Sequence, residues 1–171
     1  VDIIRDIESM ATIIAELMKA QELEYDPRVT VAKFDLILQY SLLQVACSDS
    51  DLANNEIVFI KNLTRYADFC DFISTDDAPI TWGMLYSADV DNIKKMLDGY
   101  DHTMRAVSTE VVSVFAVCDR ATEYNFFKDL KENVCCIIAG LSLMDGNKYS
   151  EDYSVPVLIF DCLTKIEKLT S

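Results

Sequence analysis

Apolar residues recur at three- and four-residue intervals through most of the chain, the spacing of one face of a helix. From about Asp2 to Glu24, Ile3, Ile7, Met10, Ile14, Leu17 and Met18 form such a stripe, with Arg5, Glu8, Glu16 and Lys19 elsewhere on the wheel. This predicts an amphipathic helix. Asp26-Pro27 interrupts it, and a second helix is expected from about Thr30 to Cys47. It carries Phe34, Ile37, Leu38, Leu42, Val45 and Ala46 among apolar neighbours so dense that both sides should be covered. Beyond an acidic turn, Asn54 is a fair N-cap and Glu56 a favourable first-turn charge for a third helix bearing Ile57, Ile60, Leu63, Ala67 and Cys70. A short hairpin should set it antiparallel to the second.

The stretch from Ser74 to Asp89 is the least regular, holding Asp76-Asp77, Pro79, Gly83 and the only tryptophan, Trp82. It reads as a long connection with one helical turn. A short helix is expected from about Asp89 to Leu97, stopped by Asp98-Gly99, and a longer one from about Thr103 to Ala121. The β-branched run Val111–Val117 resembles a strand in composition, yet Val107, Val111, Val114, Phe115 and Cys118 keep helical spacing and no partner strand is evident. Asn125 opens an apolar helix ending near Met144, and a final helix holds Val155, Leu158, Ile159, Cys162, Ile166 and Leu169, with Pro156 in its first turn. The pattern predicts one all-α domain over 1–171, a bundle of about seven helices.

Composition agrees. Four glycines and three prolines are too few turn formers for an all-β sandwich or barrel. Acidic residues number 29 against 15 basic ones, a formal charge of −14, which makes nucleic acid an unlikely partner for want of a basic stripe. No segment reaches about eighteen consecutive apolar residues, so direct membrane insertion is not expected. Asp2, Arg5, Asp6 and Glu8 interrupt the amino end, unlike the core of a signal peptide, and the expectation is a cytoplasmic protein. A start at Val1 rather than Met fits a chain trimmed or cut from something longer.

Six cysteines, Cys47, Cys70, Cys118, Cys135, Cys136 and Cys162, sit inside apolar helical patterns with no C-x-x-C and one histidine. That argues against a zinc set and predicts reduced core residues. His102 lies in the turn-like Gly99–Thr103 stretch, with no spacing that ties it to a thiol as catalytic partner. There is no Gly-rich phosphate loop, G-x-S-x-G or H-E-x-x-H. Asp76-Asp77 and Asp98 with Asp101 read as solvated loop charges before acid–base pairs. Phe69, Phe72, Trp82 and Tyr86 would either line a pocket or a partner groove, or form a satellite core under a long loop.

One pattern occurs twice. Leu42–Ile57 and Ile138–Tyr153 each place a buried helix, an acidic turn and a second amphipathic helix in order, with Asp49 and Asp145 separated by 96 residues. The halves run from about 1 to 73 and from about 89 to 171, joined by a connection at about 74–88. The order of apolar helix, Asp, acidic residue, apolar residue and Glu-Ile resembles the TerB-like family, named for bacterial tellurite-resistance proteins. The second copy keeps Asp145-Gly146 and the first keeps Glu56-Ile57; Ser50 stands for the glycine in the first, and Tyr153 or Asp152 for the glutamate in the second. The resemblance implies an all-helical fold of two related helical-hairpin halves, bacterial origin, a stress-related role and acidic turns that bind metal cations.

The residues themselves support two readings. Asp49, Asp51 and Glu56 in one turn and Asp145, Asn147, Glu151 and Asp152 in the other are oxygen ligands suited to Ca²⁺ or Mg²⁺. A pseudo-twofold packing of the hairpins would pool them. Neither turn is an EF-hand, since the twelfth position falls on Ile60 or Pro156. In the alternative, Asp49 and Asp145 accept turn amides while Glu56 and Glu151 serve helix N-termini. The expectation is therefore a non-enzymatic module that binds a divalent cation, or a protein-interaction domain whose acidic turns are structural.

Overall fold

Asp26 and Pro27 start the helix on which the rest is assembled. The Asp26 carboxylate accepts the Arg28 N–H at 3.0 Å, and Pro27 occupies the first helical position, where a missing N–H is harmless. The Arg28 guanidinium bonds the same carboxylate and holds its pKa below the ordinary value. In this computed structural model residues 26–47, 52–63 and 66–122 are described, with single positions at Thr12, Ala15, Glu16, Lys19 and Glu132 and backbone alone for 27 and 112–122. Among the described residues there are six helices and no strand: α1 Pro27–Ala46, α2 Asn54–Asn62, α3 Phe69–Ile73, α4 Trp82–Leu85, α5 Val90–Gly99 and α6 Asp101–Thr122. The helices expected before Asp26 and after Asn125 are described only at those single positions, each of them helical, and the seven-helix, two-hairpin arrangement lies outside the described residues.

At 20 residues α1 spans about 30 Å. Phe34, Ile37, Leu38, Tyr40, Leu42 and Leu43 are all buried, so the helix is covered all round. It packs most extensively against α6, and also against α2, α3 and α5. On α6, Met104, Ser108 and Val111 are buried along one helical face, and an ion pair joins Lys33 of α1 to Glu110. The valine-rich tract is helical, because α6 runs unbroken from Asp101 to Thr122. None of the helices among the described residues is long and apolar enough to cross a membrane.

Several expected boundaries move. The third helix, expected to reach Cys70, stops at Asn62, and Cys70 belongs to α3. Its cause sits on α1: Asp35 Oδ2 accepts the Tyr66 N–H at 3.0 Å and Gln39 Oε1 accepts the Phe69 N–H at 2.7 Å. Those amides would otherwise bond carbonyls four residues earlier and prolong the helix. Asp68 then caps α3 by accepting the Cys70 N–H at 2.9 Å. At the other end of α2 the cap is Ala53 rather than Asn54. Alanine has no side-chain acceptor, so only the return arm of a capping box exists, Glu56 accepting the Ala53 N–H at 3.0 Å. The stop expected at Asp98-Gly99 comes at Tyr100, and α6 starts at Asp101 rather than Thr103, which places His102 in a helical first turn rather than a loop.

Candidate functional site

Of the residues expected to hold a cation, Asp49, Asp51, Asp145, Asn147, Glu151 and Asp152 lie outside the described residues. Glu56 is described: it is buried, and one carboxylate oxygen is bound to the Ala53 amide. The flanks of the first acidic turn are described too, α1 ending at Ala46 and α2 starting at Asn54. Among the described residues, no three His, Cys, Asp or Glu side chains come together as a metal site. His102 is exposed. Cys47 and Cys70 are buried, and burial, reinforced by Asp68 and Asp71, pushes the Cys70 thiol up to about 12. It stays protonated and unreactive at neutral pH.

Of the four aromatic residues, two are core and two are exposed. Phe69 is core, its ring 5.7 Å from Tyr40 and 6.1 Å from Tyr100, the latter edge-on. Tyr40 donates to the Leu97 carbonyl at 2.8 Å, which ties α1 to α5. Burial, with Asp101 and Asp98 nearby, raises the Tyr40 pKa to about 12. Trp82 is also buried, and its indole N–H reaches the Asp68 carboxylate at 2.7 Å. Phe72 and Tyr86, by contrast, face solvent.

Residues 68–82 thus form an excursion closed at its base by Asp68 and Trp82. Ser74 makes a second closure, its Oγ accepting the Ile80 N–H at 2.7 Å and donating to the Cys70 carbonyl. At the tip, Thr75 and Ala78 exchange backbone bonds of 3.2 and 3.1 Å, which displays Asp76 and Asp77. The inner faces of α3 and α4 are filled by Phe69, Cys70, Ile73, Trp82 and Leu85. Left outside are Phe72 at 40% exposure, Met84 at 49% and, just past α4, Tyr86 at 40%. From Tyr66 to Ile93, a run of 28 residues, there are six aspartates and no lysine, arginine or histidine. The chain thus sets large apolar side chains in a wholly anionic segment. Sequence reasoning noted Phe72 and Tyr86 but missed Met84 and the cation-free run, a signal that was available from charge counting alone.

No protein-family model, no curated protein and no solved structure matches the chain.

Proposed function

We propose that the chain is a non-catalytic helical module that docks a protein partner. One observation carries this: Phe72, Met84 and Tyr86 are exposed about α3 and α4, whose inner faces are already filled. In this reading they join into one apolar patch, the kind of surface that marks association. The buried polar groups of this half have internal tasks, Asp35 and Gln39 holding backbone amides and Ser41 donating to the Ile37 carbonyl at 2.8 Å. The test is carbodiimide cross-linking in cells that encode the chain, since this reagent joins aspartate carboxylates directly to a partner's lysines. A reproducible, saturable partner is expected. Cross-links no more abundant than those of an unrelated protein of equal charge would reject the reading.

A second reading is favoured by the position of the first acidic turn between α1 and α2, together with the TerB-like resemblance. Here Asp49 and Asp51 join Asp145, Asn147, Glu151 and Asp152 around Ca²⁺ or Mg²⁺, while Glu56 keeps its Ala53 cap. Calorimetric titration with each ion tests it. Heat that saturates in the native chain and vanishes in an Asp49→Asn/Asp145→Asn variant is expected; no heat at millimolar ion, or equal heat in both, would reject it.

A further inference from the structure

We draw no further inference here: the strongest candidate, the set of exposed apolar side chains Phe72, Met84 and Tyr86 about α3 and α4, belongs to the surface already proposed for docking, and nothing in the structure shows what covers it.

Discussion

Replacing Gln39 with methionine tests the clamp that breaks α2 from α3. Gln39 is 1% exposed; its Oε1 holds the Phe69 N–H at 2.7 Å, and its Nε2 has no hydrogen-bond partner. Methionine has nearly the same length and volume, so cavity effects are small. The lost bond leaves a buried backbone donor unsatisfied, which costs about 1–3 kcal/mol. Removing the unpartnered Nε2 returns about 1 kcal/mol, so the net destabilisation reaches at most about 2 kcal/mol. With a urea m-value of about 2 kcal/mol/M, the unfolding midpoint should fall by up to about 1 M at unchanged m. Amide exchange supplies the local readout: the Phe69 N–H should lose protection before its neighbours on α1. A midpoint within about 0.2 M of the native chain, with the Phe69 amide still protected, would refute the claim that α1 sets this break.

Three further outcomes are expected. Gly99 closes α5 with no heavy atom within 4 Å of an added Cβ, so Gly99→Ala should stabilise by about 0.5–1 kcal/mol through lower unfolded-state entropy and better helix propensity, measured by urea titration. Cys70, raised from 9.0 to about 12 in the fold, stabilises fully below pH 9 and loses that contribution as pH climbs toward 12; the loss should be on the order of 1 kcal/mol by pH 10, and Cys70→Ala should flatten the fall in stability between pH 9 and 10. Trp82→Phe deletes the indole bond to Asp68 and should destabilise by about 1–3 kcal/mol in thermal or urea unfolding, while a change below about 0.5 kcal/mol would show that Asp68 needs only its α3 cap.

The legible features were those set by local density. Burial of α1 on all sides followed from Phe34, Ile37, Leu38 and Leu42 standing among further apolar residues, and Val107 and Val111 kept helical spacing despite their β-branching. The break after Asn62 was illegible because Ile60, Leu63, Ala67 and Cys70 continue the period without a flaw. What ends the helix is Asp35 and Gln39, 31 and 30 residues away from the amides they hold, a tertiary competition that periodicity does not report. Similarly, Phe69 and Phe72 share a face of any long helix, but the five-residue α3 turns Phe69, Cys70 and Ile73 inward and leaves Phe72 out. Of the acidic-turn site, Glu56 shows why residue type alone was ambiguous: a carboxylate three residues inside a helix suits a cation and the Ala53 amide equally, and the amide is its partner.

The central proposal is that the chain docks a protein partner through the exposed apolar side chains about α3 and α4. Its most direct test is nuclear magnetic resonance of the isotope-labelled chain titrated with the partner that carbodiimide cross-linking recovers. Shift changes are predicted to centre on Phe72, Met84, Tyr86 and the amides of Asp71–Asp77, with the buried ring of Phe69 and the α1–α6 contact unmoved. Changes concentrated at the Asp49 turn, or spread evenly over every exposed carboxylate, would contradict it.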